Sequence, residues 1–527
     1  MRDLIKKEIE KAVGSERSQG ISFDIYADGK FGDYSSNIAL VRQLAEKGNP
    51  RENAEKIKEK LSGSKFFSVE IAGPGFLNFT LTEKGIEKGL KNLNKKPARL
   101  GRGKIQIEFI SATPTGELHI GHGRSAFYGD ALANVLKTTG YKVEREYFIN
   151  DSKESTQIKE LGKTALGKGE TYLTDNLRKK ISALGGSAFG GKKLKDDGEA
   201  GYLLAKEVQK DNQKFIEKGL KIKFDKWFSE EKELRAKKVF EKTLEMLKKN
   251  KLAYEKDGAL WLKTSQFGDD EDRVVLRSDG SVSYFLSDVA YHANKFGRKF
   301  SKVIDIWGAD HHGHVKRMMI AKEMLTPPGG AGWKGDLEIL ISQLVTLKKG
   351  EELQKLSKRK GNIILLKDLV EDLGIDSVRW FYLQKSLSTH MEFDLDLAKE
   401  QSAKNPVYYV QYAGARMASI LAKSEIRNPK SETISKLKTS NSKPVRNLVV
   451  KLIQYPEIIE DTARDYQVHR LTTYAYELAN EFSQFYRDVK VIGAENEKEL
   501  VTLVALTRKF WPTPSASSAS PRRRRCD

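Results

Sequence analysis

The 527-residue chain has almost no cysteine: one residue, Cys526, near its end. A lone thiol excludes a disulfide framework and a thiolate zinc cage, and it fits a reducing compartment. No run of about 18 apolar residues occurs, so no membrane span is expected. The opening Met1-Arg2-Asp3-Leu4 lacks the apolar core of a secretion signal. No internal repeat is visible. Acidic residues are in deficit, with 72 Asp+Glu against 93 Lys+Arg, a net charge of +21. Hydrophobic residues at 39% and aromatics at 9% are globular values and exclude a disordered chain. At roughly 150 residues per domain, the length predicts three to four domains. A soluble, multidomain, cytoplasmic protein is therefore expected.

The basic surplus favours a polyanionic partner, because cations that neutralise phosphates release condensed counterions. A lysine-rich solvated surface gives the same surplus, and Glu55-Lys56-Ile57-Lys58-Glu59-Lys60 has that interspersed pattern. Charge alone does not choose between the two.

Residues 1–95 read as a small α+β module. Leu4, Ile5, Ile9 and Ala12 have helical spacing, and β-rich runs flank the turn Gly73-Pro74-Gly75 between Phe67 and Leu81. A basic linker follows, Asn92 to Lys104. A strand–helix–strand pattern then runs through Ile105–Ile110, Gly121–Lys137 and Val143–Ile149 within a domain spanning about 100–390. Parallel strands joined by a helix imply a right-handed crossover and a ligand crevice beyond the strand carboxyl ends. Residues from about 165 to 275 break this rhythm and read as an insertion. Val303–Trp307 and Leu337–Ile341 resume as strands. From 395 to 510 the pattern is helical, with Leu471, Tyr474, Ala475, Leu478, Phe482 and Phe485 on one stripe. Residues 511–527 form a low-complexity tail ending in Arg522–Arg525, readable as a basic arm or as the product of a shifted reading frame.

Two segments carry chemistry. His119-Ile120-Gly121-His122 stands where the first strand has ended and a helix begins, a place that attracts anions. Two imidazoles three residues apart can donate to phosphate oxygens as charge builds at phosphorus, and Gly121 lets a flat base approach the backbone. The bland reading is a pair of capping histidines. Far downstream, Lys355-Leu356-Ser357-Lys358-Arg359-Lys360 places two lysines three apart, suited to a departing pyrophosphate. Alone, it reads as a solvated basic loop.

Together these runs resemble the HIGH and KMSKS signatures of class I aminoacyl-tRNA synthetases, and the chain more specifically resembles bacterial arginyl-tRNA synthetases. The resemblance extends from residue 1 to about Lys509. It rests on long strings: Gly32–Asn37, Gly73–Phe79, Pro114–Arg124, Phe224–Glu230, Gly268–Val275, Gly308–Gly313 and Asn405–Ala413. It implies a multidomain α/β fold: a small α+β N-terminal domain touching the tRNA elbow, a Rossmann-like parallel-sheet catalytic domain with an insertion, and an all-α anticodon-binding bundle. It implies activation of L-arginine by ATP, with Mg²⁺ carried on the phosphates, and transfer to tRNA(Arg), usually with tRNA required for the first step. A monomer is expected.

The resemblance assigns residues as well. Catalysis falls to His119, His122, Lys355 and Lys358. ATP binding adds Pro114, Gly116, Gly121 and Ser357. Arginine binding falls to Ser111, Thr113, His122, Asn150, Tyr284, Asp288 and His311. Thr113 stands where many relatives carry Asn, keeping a hydroxyl and losing the amide. A guanidinium wants a bidentate carboxylate with an aromatic or hydroxyl neighbour. Tyr284 and Asp288 would share a face if helical; a buried Tyr with a helix-start Asp is the alternative. His311, His312 and His314 could be mistaken for a metal site; the resemblance puts His311 and His312 by the substrate pocket, with no metal site expected. Tyr408, Tyr412 and Arg416, with His469 and Arg470, offer stacking and basic chemistry to RNA, although most of these aromatics could be bundle core. Another H-x-G-H nucleotidyl transferase and a catalytically silent tRNA-binding paralogue remain the competing readings.

Overall fold

A computed structural model describes residues 1–14, 22–27, 31–41, 48–93, 99–183, 196–326, 333–354, 364–424 and 442–511. The chain forms two compact units. Among the described residues, one comprises those within 1–98, 401–465 and 470–511, and the other those within 99–400 together with 466–469. The N-terminal module and the C-terminal helices therefore pack as one body.

In that first unit, strands β1 (Ile25–Ala27), β2 (Tyr34–Ser36), β3 (Phe67–Ala72) and β4 (Phe76–Leu81) form an antiparallel sheet in the order β1-β2-β4-β3. The Arg2–Val13 helix buries Ile5, Ile9 and Ala12, the stripe its spacing predicts. Helices Pro406–Lys423, Lys443–Asp465, Arg470–Asp488 and Glu497–Lys509 make the bundle. Ion pairs join module to bundle: the Met1 ammonium with Glu457, Arg2 with Glu460 and Asp461, and Arg446 with Asp33. Arg446 grips both oxygens of Asp33 at 3.0 and 2.6 Å, and Asp33 also accepts the Leu81 N–H at 2.6 Å. Asp33 is 7% exposed, so its charge depends on that fork.

The second unit is built on five parallel strands: β5 (Lys104–Glu108), β6 (Lys142–Ile149), β7 (Lys226–Ser229), β11 (Lys302–Gly308) and β12 (Asp336–Ser342). Between β7 and β11 lie β8 (Ala253–Lys256), β9 (Ala259–Leu262) and β10 (Arg273–Leu276), a separate antiparallel sheet. After β12 come β13 (Val345–Lys349), β14 (Glu352–Gln354) and β15 (Met391–Asp394). The main order is β12-β11-β5-β6-β7. The chain winds outward from β5 in one direction and from β11 in the other, so the switch point lies between them, where such sheets bind ligands. Strand β7 comes from within residues 165–275, a stretch the sequence reading gave wholly to an insertion. Four residues are too few to show a period, but Lys226–Ser229 pairs in register with Glu146–Ile149.

Strands buried on both faces should be nearly all apolar, and here one row breaks the rule. Asp305, Glu108 and Glu146 stand in register across β11, β5 and β6. Their exposures are 0%, 6% and 0%. Three carboxylates at strand spacing repel one another unless cations cover them. The Tyr284–Gly297 helix and the turn after it supply the cover. Lys295 Nζ reaches Glu108 Oε2 at 2.5 Å and Asp305 Oδ1 at 2.6 Å. Arg298 forks onto Glu146, with Nη2 to Oε1 at 2.8 Å, and Tyr291 donates to the same Oε1 at 2.7 Å. His292 contacts Asp305 Oδ2 at 2.8 Å. Burial opposes these charges, but the pairing prevails: the Asp305 and Glu146 carboxyls lie below the ordinary range, and the Lys295 ammonium above it.

Replacing Arg446 with Met should leave the Asp33 carboxylate buried without its cation. We expect a loss of about 3 kcal/mol, read as a lower denaturant midpoint for the unit's transition. An unchanged midpoint would show the fork to be dispensable.

Candidate active site

The carboxyl ends of β5, β6, β7 and β11 gather the polar residues of the crevice. After β5 the backbone turns through two left-handed residues, Ile110 (φ 69°) and Ser111 (φ 43°). A β-branched isoleucine at positive φ is strained, and such residues persist only where their surroundings over-determine them. Here they do. Ser111 Oγ donates to Glu108 Oε1 at 2.8 Å and accepts the Phe148 N–H at 3.1 Å. The next residue, Ala112, exchanges both backbone bonds with the Tyr147 hydroxyl at 3.1 Å each. Pro114 is buried in the loop that follows, and Thr113 is half-buried.

His119 is the N-cap of the Ile120–Thr138 helix. Its Nδ1 accepts the Gly121 N–H at 3.1 Å, and His122 Nδ1 accepts the His119 N–H at 3.1 Å. The rings stack with centroids 3.8 Å apart. Capping and phosphate binding are thus not alternatives. With Nδ1 of each neutral ring an acceptor, Nε2 carries the hydrogen, so the caps set both rings in the donor tautomer. The helix lies close to its neighbours because it carries glycine: a Cβ on Gly129 would fall 2.3 Å from the Phe109 ring.

Lys355, Ser357 and Lys358 lie outside the described residues. The chain re-enters at Ile364, whose carbonyl accepts the Ile120 N–H at 3.1 Å, and Leu366 N–H donates to Leu118 O at 2.8 Å. An isolated bridge pairs His119 with Leu365. The segment after the lysine run therefore lies against the histidine turn.

The other side of the crevice is acidic. Tyr284 and Asp288 fall on the Tyr284–Gly297 helix, capped by Ser283, whose Oγ accepts the Leu286 N–H. Asp288 is thus one turn inside the helix, not at its start. Tyr284 is 54% exposed, which excludes the buried-tyrosine reading. Burial pushes the Asp288 carboxyl up to about 6 against the pull of His292 and His311; the side chain keeps 36% of its surface, and solvent there tempers the shift. His314 Nε2 stands 3.8 Å from Asp288 Oδ2, and the His311 ring lies parallel to that of His314, centroids 6.3 Å apart. His312 is exposed at the start of the next helix. Among the described residues, no group of three or more His, Cys, Asp or Glu side chains is arranged to hold a metal ion.

Glu230 was missed by the sequence reading as a site residue. It follows β7, is 4% exposed, and accepts from Ser287 Oγ at 3.0 Å. Burial raises its carboxyl to about 7; Arg235 and Ser287 oppose the shift, and Asp151 and Asp288 add to it. Its signal was present only as the last letter of the string Phe224–Glu230. Asn150 follows β6, with its Oδ1 buried and without a hydrogen-bond partner among the described residues. Asp151 ties β6 to β7 by accepting from Ser229 Oγ (2.9 and 2.7 Å) and the Glu231 N–H (3.1 Å).

In the other unit, the Pro406–Lys423 helix buries Val407, Val410, Ala413, Met417 and Ile420. Tyr408 and Tyr412 lie on the opposite face, 39% and 45% exposed, with centroids 6.4 Å apart. The Arg416 guanidinium sits 4.8 Å from the Tyr412 ring and 5.5 Å from that of Tyr486. These aromatics are not bundle core. Arg470 is engaged by Asp465 at 2.7 Å.

Family models match in three places: the arginyl tRNA synthetase N terminal domain over residues 1–81, the catalytic domain of class I (R) tRNA synthetases over 86–158 and 195–385, and the DALR anticodon binding domain over 410–511. The parallel sheet with a histidine turn at its switch point is thus that of a class I aminoacyl-tRNA synthetase. The arginine–tRNA ligase of Bacillus subtilis (strain 168) is 38% identical over 546 residues, covering 96% of this chain and 95% of that one. That of Citrifermentans bemidjiense is 40% identical, covering 94% of each. A crystal structure of a putative arginyl-tRNA synthetase from Campylobacter jejuni superposes with a TM-score of 0.70 at 31% identity, over 82% of this chain and 97% of that one. The Thermus thermophilus arginyl-tRNA synthetase shares the fold, with a TM-score of 0.74 at 20% identity over 98% of both chains. The chain belongs to the arginyl-tRNA synthetase family.

The raised Glu230 carboxyl has a consequence for stability. Folded, it holds its proton to about pH 7, whereas its ordinary value is 4.5. The folded state binds more protons between these values, so stability falls as pH rises through that window. Glu230→Gln should gain stability relative to wild type between pH 5 and pH 8, measured by denaturant midpoints. An equal difference at both pH values would contradict the assignment.

Proposed function

We propose that the chain is an arginine–tRNA ligase in which the crevice at the β5/β11 switch point holds both arginine and ATP. The arginine carboxylate attacks the α-phosphorus of ATP, and the bond to pyrophosphate breaks. A terminal ribose hydroxyl of tRNA(Arg) then attacks the adenylate carbonyl, and AMP leaves. The observation that carries this reading is the pair of carboxylates, buried Glu230 and partly exposed Asp288, at the carboxyl end of the sheet whose histidine turn is capped into donor form.

Each group has a role. His119 and His122 donate from Nε2 to phosphate oxygens as charge grows at phosphorus. Pro114, Gly116 and Gly121 shape the backbone against the nucleotide. Lys355, Ser357 and Lys358 meet the leaving pyrophosphate, on a segment whose end is stitched to the histidine turn. Mg²⁺ arrives on the ATP phosphates as a substrate counter-ion. Asp288 and Glu230 receive the two prongs of the guanidinium, which favours the ionised form of each, and Tyr284 flanks it. Asn150, through its unpartnered Oδ1, and Ser111 and Thr113 take the amino-acid end, beside His122. His311 and His314 close the acidic side. Lysine is rejected because its ammonium lacks the rigid planar pair of N–H prongs that a guanidinium presents.

The exposed row Tyr408, Tyr412 and Arg416 offers anticodon bases a stacking surface. No described helix is long and apolar enough to cross a membrane, and we place the enzyme in the cytoplasm as a monomer.

Arginine-dependent pyrophosphate exchange, run with tRNA(Arg) present, tests the reaction. His122→Ala should lower kcat on the order of 10² or more, and exchange driven by cysteine or glutamate in place of arginine would refute the reading. Arg416→Ala should raise KM for tRNA several-fold and weaken its salt dependence, with KM for arginine unchanged. An unaltered KM for tRNA would remove Arg416 from the RNA surface.

A further inference from the structure

Lys295 lies on the same helix as Asp288, seven residues on, and on the same face. It is fully buried, and its ammonium touches neither edge of the crevice. Its two carboxylate partners, however, lead to both. Glu108 Oε2 takes one hydrogen bond at 2.5 Å, and the other oxygen of that carboxylate holds the Ser111 hydroxyl at 2.8 Å. Asp305 Oδ1 takes a second at 2.6 Å, and its other oxygen contacts His292 Nε2 at 2.8 Å. His292 Nδ1 in turn contacts the carbonyl of Asp288 at 2.8 Å. A continuous run of polar contacts therefore extends from Ser111, through Glu108, Lys295, Asp305 and His292, to the backbone of Asp288.

The two ends of that run are the groups assigned to opposite ends of the substrate: Ser111 to the amino-acid end, Asp288 to the guanidinium. Ser111 sits at positive φ, a conformation its surroundings must impose. The Phe148 N–H holds its hydroxyl from one side, and the restraint from the other side is only as fixed as Glu108, which Lys295 holds. An apolar residue at 295 would fill the space equally well, so packing alone does not call for an ammonium there.

We propose that Lys295 is a positioning residue for arginine: it sets the distance between the Ser111 turn and the Asp288 helix, and through it the fit of the extended substrate. This rests on the arginine-site reading above. The ammonium makes no contact with substrate, and its effect is confined to the amino-acid half of the site. The histidine turn is held separately, by its own caps and by the Ile364–Leu366 segment. Loss of Lys295 should therefore separate the two substrates kinetically.

The test compares wild type, Lys295→Met, Lys295→Gln and the charge-balanced double variant Glu108→Gln/Lys295→Met, by pyrophosphate exchange with tRNA(Arg) and by thermal melting. Lys295→Met should raise KM for arginine tenfold or more and leave KM for ATP within twofold. Lys295→Gln, which keeps donors to both carboxylates, should recover part of that loss. The double variant removes one of the two buried carboxylates that Lys295→Met leaves without their ammonium, so it should regain part of the melting temperature without regaining arginine KM. If KM for arginine recovers together with stability, or if both KM values move in parallel, or if neither moves in any folded variant, Lys295 is merely structural and the proposal fails. Should Lys295→Met not fold, the double variant and Lys295→Gln decide the matter by the same criteria. Absence of arginine-dependent exchange in wild type would instead refute the functional reading.

Discussion

The structure depends on covering a row of negative charge. Asp305, Glu108 and Glu146 stand side by side on the three central strands, and a sheet buried on both faces gives them no water. Only cations delivered by an overlying element make that row tolerable. Lys295 and Arg298 do so, and in doing so fix the rotation and height of the helix that bears Tyr284 and Asp288. An apolar helix face can slide on an apolar sheet at little cost, whereas an ammonium bonded to two carboxylates has one position. The ionic layer thus costs desolvation and gives in return a defined geometry at the crevice.

A second constraint acts across the switch point. The Ile110–Ser111 turn is held at positive φ, which the bare chain would not favour, the histidine turn is an extended helix cap, and hydrogen bonds fix both. The caps at His119 and His122 complete the helix start and select the tautomer that can donate to phosphate. The Ser111 hydroxyl restrains a strained turn at the mouth of the site. On the opposite side, burial raises the Glu230 carboxyl to about 7 and the Asp288 carboxyl to about 6, with solvent tempering the second. In the proposed arginine site, the planar fork of a guanidinium meets such a pair better than a point charge does.

Much of this was legible in the sequence where the signal is local. The strand–helix–strand run at 105–149 follows from alternation and helical spacing, and the structure places its elements at Lys104–Glu108, Ile120–Thr138 and Lys142–Ile149. The Tyr284–Asp288 spacing alone did not choose between a shared helical face and a buried Tyr with a helix-start Asp; the helix bounds and the exposure of Tyr284 decided it. What escaped was non-local. Strand β7 is four residues long and carries no period of its own; pairing with β6 makes it a strand. Glu230 looks like any glutamate until burial raises its carboxyl. The link between Lys295 and Glu108 spans 187 positions, and no spacing rule reaches so far. The aromatics of the C-terminal helix could be core or surface by period alone, and the apolar Val407–Val410–Ala413–Met417 face decided it.

The most direct measurement is a crystal structure with a non-hydrolysable arginyl-adenylate analogue. The account predicts its guanidinium between Glu230 and Asp288, and its phosphate within hydrogen-bond reach of Nε2 of His119 or His122. An analogue bound with its guanidinium away from both carboxylates, or its phosphate remote from both imidazoles, would contradict it.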